Sequence, residues 1–190
     1  MPTAALPKPP KAKRLWTYDE MVAELPETNL PVELWNGEIV TSPTPTPSHQ
    51  TIVLRFVRRL EDFVIAKEGG SVFVSPLDVV LSPHRVVQPD VFFVAAANRA
   101  IIQAQIRGVP DLAMEVVSPG SWKRDRVEKK ALYEQAGVAE YWILDPDSET
   151  IEVFALAKGI YQVHSRARRA EVAKSKLLSG FRITFHDLLT

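Results

Sequence analysis

Two stretches decide how this chain folds: Val87-Gln88-Pro89-Asp90-Val91-Phe92-Phe93-Val94 and Asp111-Leu112-Ala113-Met114-Glu115-Val116-Val117-Ser118-Pro119. Both read as strands that are apolar on two faces, as central strands covered by helices would be. Each is interrupted by one acid. A carboxylate in a β-core is costly unless it is paired or bound to a cation. Two of them on neighbouring strands also repel. A divalent cation would remove both costs. Alternatively, each acid sits at a strand end, hydrogen-bonded to backbone amides or paired with arginine. The two stretches alone leave both readings open.

Upstream of these strands, Ser48 reads as the N-cap of a long helix. In it Ile52, Val53, Phe56, Val57, Leu60, Phe63 and Val64 form one apolar stripe, which Gly69-Gly70 ends. Segments 71–81, 85–95 and 110–117 are β-rich, with a helical or irregular stretch near 98–106. A helix over about 121–136 stops at Gly137, and 139–144 is again a strand. The end reads as short strands at 150–157, 160–164, 171–176 and 181–185. Near the N-terminus, Thr17-Tyr18-Asp19-Glu20 has capping-box spacing and opens a short helix to about Leu25. Asn36-Gly37 joins Val32–Trp35 to Glu38–Val40 as a hairpin, and 42–47 is loop. This order predicts an α/β (α+β) fold: a mixed central β-sheet flanked by helices, with an N-terminal hairpin and a β-rich C-terminal extension.

The helix after Glu115 adds a cation. At about 100° per residue, Trp122, Leu132, Tyr133 and Ala136 share an arc with Lys129 at its centre, while Lys130 falls to one side. A lysine on a buried arc needs a negative partner. Asp125, one turn earlier, is one candidate. The acids on the preceding strands are the other.

Composition narrows the chemistry. The 190 residues suit one domain, expected over 15–190 behind a disordered Pro- and Lys-rich tail at 1–14. There is no cysteine, which excludes disulfides, thiolate metal sites and a thiol nucleophile. A metal must then sit on oxygen or imidazole, and oxygen favours Mg²⁺, Mn²⁺ or Ca²⁺. No apolar run approaches the roughly 20 residues that span a bilayer, and the start has no export core, so the cytoplasm is expected. The 23 basic and 23 acidic residues cancel, which counts against indiscriminate nucleic-acid binding.

Taken together, the segments resemble a known family from Trp16 to Phe154. They include Thr17-Tyr18-Asp19-Glu20, Glu33-Leu34, Gly37-Glu38-Ile39-Val40, Ser42-Pro43 with His49, and Pro76-Leu77-Asp78-Val79. Gln88-Pro89-Asp90, Glu115 to Pro119, Asp125-Arg126 with Glu128-Lys129, and Glu140-Tyr141-Trp142-Ile143-Leu144-Asp145-Pro146 complete them. The chain is similar to the Uma-two family of restriction-endonuclease-like proteins, within the PD-(D/E)XK nuclease superfamily. The resemblance implies a restriction-endonuclease-like core and Mg²⁺-dependent (or Mn²⁺-dependent) hydrolysis of DNA phosphodiesters. It implies Asp90 and Glu115 as the paired acids, holding the metal with the backbone carbonyl of Val116. The pattern's strand lysine falls on Val117 here, and the resemblance implies that Lys129 supplies it from the helix. Glu33 matches an acid that joins such sites; His49, just inside the long helix, reads either as a substrate contact or as a helix-start residue. Asp78 reads as structural. A homodimer would suit cleavage of both strands.

Three basic clusters stand out: Arg55, Arg58 and Arg59; Lys123, Arg124, Arg126, Lys129 and Lys130; and Arg166, Arg168 and Arg169. The second follows the Glu115 strand directly, so Lys123, Arg124 and Arg126 are expected at substrate phosphates. The competing reading is a non-enzymatic nuclease-fold protein that binds nucleic acid or protein. Neutral charge and Val117 favour it; Asp90, Glu115 and an inward Lys129 favour the enzyme.

Overall fold

A computed structural model describes residues 14–26, 30–42, 44–67, 69–118, 120 and 122–189. The tail expected over 1–14 lies outside them except for Arg14, as do Pro43, Pro119 and Ser121.

The first elements are helix α1 (Tyr18–Glu24) and the hairpin β1 (Val32–Trp35) and β2 (Glu38–Thr41). The Thr17–Glu20 capping box forms in both directions. The hairpin turn has positive φ at both central residues, 52° at Asn36 and 87° at Gly37. That is the mirror-image turn whose twist matches the strands. A side chain on Gly37 would also strike Leu15 at 2.8 Å.

Helix α2 (Pro47–Ala66) starts two residues earlier than a cap at Ser48 predicts. Thr46 is its cap and accepts the His49 amide, because Pro47 suits the first helical residue, where no N–H is needed. The expected strand 71–81 divides into β3 (Gly70–Val74) and β4 (Val79–Ser82), which lie in different sheets. The expected strand 85–95 divides likewise into β5 (Arg85–Val87) and β6 (Val91–Ala95). In each case a proline, Pro76 or Pro89, stands in the break, having no N–H for a ladder. Asp90 therefore enters a strand rather than sitting within one. A 3₁₀ turn (Ala96–Ile101) and short β7 (Ile106–Arg107) precede β8 (Leu112–Val116).

The helix expected over 121–136 begins at Trp122 and contains a π-helical turn, Arg124–Lys129, before α3 (Lys130–Ala136). Gly137, at φ 91°, ends it. Then come β9 (Glu140–Asp145), β10 (Thr150–Ala157), β11 (Ile160–Arg168), β12 (Val172–Lys174) and β13 (Arg182–Thr184). β11 runs four residues past the expected end at 164, paired along β10.

The main sheet is six-stranded and mixed, in the order β11-β10-β9-β8-β6-β3. Only β8 and β9 run parallel in it, joined by the α3 crossover. A five-stranded sheet, β2-β1-β5-β4-β7, lies beside it. Apolar residues on both faces of β6 are explained by its two coverings. Val91 and Phe93 pack with Ile52, Phe56 and Leu60 of α2, while Phe92 and Val94 pack with Leu132 and Tyr133 of α3. Phe56 is fully buried, edge-on to Trp142 at 5.6 Å. Each such ring contributes about 1.5–3 kcal/mol. Among the described residues no helix is long and apolar enough to cross a membrane.

All four tyrosines are held above their ordinary pKa, principally by burial: Tyr18 is pushed up to about 12, and Tyr133, Tyr141 and Tyr161 are raised as well. A raised folded pKa means stability that is full below the unfolded value, about 10, and lost as pH rises through the folded one. Phenolate absorbance in an alkaline titration should therefore appear together with loss of near-ultraviolet circular dichroism. A tyrosine titrating near its ordinary pKa in the folded protein would contradict this packing.

Candidate active site

β6 and β8 are antiparallel, with Val91 opposite Met114 and Phe92 opposite Ala113. One further step in that register sets Asp90 opposite Glu115. Directly opposed side chains share a sheet face, with Cβ atoms roughly 4.5–5.5 Å apart. Asp90 lies at the strand entrance, where its Oδ2 accepts the Val116 amide at 2.8 Å and faces His49 Nε2 at 3.0 Å. Asp90 is thus hydrogen-bonded to a backbone amide at a strand end and, in the same register, set opposite Glu115.

Glu115 alternates with Met114 and Val116, which face α2, and so points toward the other helix. Its Oε1 accepts from Lys129 Nζ at 2.8 Å and from the Tyr133 hydroxyl at 2.7 Å. Lys129 also reaches Glu33 Oε1 at 3.3 Å. Glu33 comes from β1 in the second sheet, and the same oxygen accepts the Gln88 amide at 2.7 Å. Exposure is 1% at Glu33, 3% at Glu115 and 5% at Lys129, so these charges are outside water's reach. Glu33 Oε2 is buried with no hydrogen-bond partner among the described residues.

The electrostatics follow from that burial. Desolvation lifts the Glu115 carboxyl well above the carboxylate range against the pull of Lys129; Asp90, Asp125 and Glu33 push it the same way. Burial disfavours charge on Lys129, but Glu115, Glu33, Asp125 and Asp90 outweigh it and raise its pKa. Burial likewise opposes protonation of His49, and the hydrogen bond and charge of Asp90 reverse the balance. Four carboxyls thus face two cations. Even with His49 protonated, full ionisation would leave two negative charges in a poorly solvated pocket.

Such an excess draws protons or a divalent cation. The donors are carboxylate and carbonyl oxygens, which suit hard cations. Among the described residues no three Asp, Glu or His side chains form a ready cation cage. Mg²⁺ does not demand one, since it keeps several waters and takes one or two carboxylates. Asp90, Glu115 and the Val116 carbonyl fit a hydrated ion of that kind.

The basic residues divide. Lys123 is exposed, 3.5 Å from Glu128. Arg124 donates to Ser42 Oγ at 2.7 Å and lies over the Trp35 ring at 5.9 Å. Arg126 is taken up by Asp145 at 3.1 Å and by Glu152, which also accepts from Arg166 Nε at 2.9 Å. Lys130, beside Lys129, lies over Phe154 at 4.0 Å. Asp78 accepts hydrogen bonds from the Tyr18 hydroxyl and the Gln88 side chain.

Sequence reasoning missed two members. Tyr133 falls on the apolar arc by spacing, yet its hydroxyl bonds Glu115; its position four residues after Lys129 on one helix face carries that signal. Asp125 was weighed only as a partner for Lys129. It is 4% exposed, accepts the Tyr141 hydroxyl on its carbonyl at 2.9 Å, and belongs to the acid cluster.

Comparison with known proteins agrees with this architecture. No curated protein matches the chain. A crystal structure of "a putative nuclease belonging to DUF820 from Anabaena variabilis ATCC 29413" superimposes with a TM-score of 0.73. The match covers 90% of this chain and 96% of that one at 23% sequence identity, which establishes a shared fold. The model of the Uma2 family, described as "Putative restriction endonuclease", matches residues 18–186. That span contains Glu33, Asp90, Glu115 and Lys129, and the chain belongs to the Uma2 family.

Proposed function

We propose that this protein is a metal-dependent endonuclease that hydrolyses DNA phosphodiester bonds. The observation that carries the reading is one buried ammonium, Lys129, shared by Glu115 and Glu33 where Asp90 and Glu115 meet. Asp90, Glu115 and the Val116 carbonyl would hold Mg²⁺ or Mn²⁺, which supplies Lewis-acid polarisation and a water of lowered pKa. Lys129, kept charged, orients the attacking water or stabilises charge on the phosphorus oxygens. Its position on the helix lets it replace the lysine that Val117 cannot supply. Glu33 holds the Lys129 ammonium, and Tyr133 fixes the rotamer of Glu115. His49 contacts substrate from the N-terminal turn of α2. Lys123 and Arg124 bind flanking phosphates, and the ion pairs of Arg126 hold the helix start that presents them. Two copies would cut both strands of a duplex. A binding module without catalysis is the second reading, favoured by Val117 and the neutral charge.

Millimolar Mn²⁺ should raise the melting temperature through linkage and support cleavage of plasmid DNA. Asp90→Ala and Glu115→Ala should abolish both responses. Metal-independent melting curves would remove the metal site. A metal response without cleavage would favour the binding module.

The two adjacent lysines should separate sharply. Lys129→Met leaves buried acids uncompensated and should cost about 3–5 kcal/mol at neutral pH. Without the ammonium, the Glu115 carboxyl pKa rises further above its unfolded value of about 4.3. The deficit should therefore shrink as pH falls toward that value. Lys130→Met should lose only its contact with Phe154, about 0.5–1 kcal/mol. Urea midpoints at neutral and mildly acidic pH measure both. Equal costs would mean that Lys129 is not ion-paired in the folded protein.

Removing charge at Lys123 and Arg124 should lower the slope of log K against log salt by about 0.9 per contact, read in Ca²⁺. An unchanged slope would mean that DNA does not approach along this helix.

A further inference from the structure

The π-helical turn that carries Lys129 into the core has a second effect at the start of the same helix. Regular α-helical phase would place Trp122 on the arc of Leu132 and Tyr133. Trp122 is instead 53% exposed, and Val127, five residues on, is 51% exposed. Bonds from i to i+5 in the π turn shift the phase of everything before it. The indole is thereby turned to solvent only seven residues from Lys129, roughly 10 Å along a helix.

Its neighbours are cationic. Lys123 is exposed beside it, and Arg124 follows, held over Trp35. Arg126 lies 5.8 Å from the Trp122 ring, but Asp145 and Glu152 neutralise it, so it props the indole without competing for an anion. An exposed aromatic face flanked by cations is the arrangement by which proteins hold unpaired nucleotides: the ring stacks a base and the cations track the backbone. A duplex hides its base faces and offers such a ring nothing.

We propose that Trp122 stacks on an unpaired base beside the scissile phosphate, so that the preferred substrate is DNA with a single-stranded segment. The inference rests on the endonuclease reading and adds the substrate's strand character to it. The step is one of binding only.

Full-length wild-type protein, Trp122→Ala and Trp122→Phe would be compared in Ca²⁺. The probes are an oligothymidylate single strand and a hairpin-closed duplex that has no free end. Trp122→Ala should weaken single-strand binding roughly tenfold and leave duplex binding nearly unchanged, and Trp122→Phe should restore most of the loss. Saturating oligothymidylate should quench tryptophan emission in wild type more than in Trp122→Phe. Both variants should melt close to wild type, since the ring lies outside the core.

Single-strand binding by Trp122→Ala equal to wild type would overturn stacking while leaving the nuclease reading in place. Equal loss on both probes would overturn the single-strand preference. Unchanged binding with a smaller oligomeric mass would reassign the patch to self-association and also overturn the proposal. Absence of binding to either probe by wild type would remove the DNA substrate, and this inference with it.

Discussion

One ammonium buried among acids is the constraint around which this structure is arranged. Lys129 reaches Glu115 and Glu33, which belong to different sheets, and so ties the two sheets together at one point. Desolvating a lysine is expensive, and the expense is met only where several carboxylates converge. The same convergence is expensive for the acids unless a cation stands among them. Neither half is stable alone. A group of charges held this way cannot relax into water, and that rigidity is what a site for a charged reaction requires.

α2 and α3 divide the work on the two faces of the main sheet. α2 covers the apolar face through Phe56 and Leu60 and delivers His49 to Asp90 from its first turn. The helix on the other face delivers Lys129 and Tyr133 to Glu115. Strand alternation sorts the two sets: Met114 and Val116 face one way, and Glu115 between them faces the other. A shift of one residue in β8 would send Glu115 into the α2 core and Met114 toward the lysine.

Much of this was legible in the sequence because it rests on short-range rules. The capping box at Thr17, the turn at Asn36-Gly37, the stripe of α2 and the stop at Gly137 each follow from local geometry. Asp90 and Glu115 stood out because a carboxylate in an apolar strand demands an explanation. Lys129 did so because it interrupts an apolar arc. The breaks at Pro76 and Pro89 were harder, since the flanking residues keep strand composition while their partners change sheet. The exposure of Trp122 could not be read, because a π turn leaves no periodic mark within a single turn. The hydroxyl bond of Tyr133 was hidden by the ring's apolar bulk. The capture of Arg126 by Asp145 and Glu152 depends on strands that follow it by some twenty residues, beyond any local pattern.

The connection between β8 and β9 also has a consequence for assembly in time. Parallel strands need a long crossover connection between them, and here Lys129 rides on that crossover. Glu33, Asp90 and Glu115 leave the ribosome before it. Until it docks, the three acids have no ammonium. Non-local topology of this kind folds late and slowly. Docking of the crossover and neutralisation of the acid cluster are therefore one event. A nascent chain would hold its carboxylates in water until that event, and the buried charge cluster could not exist in a half-made protein.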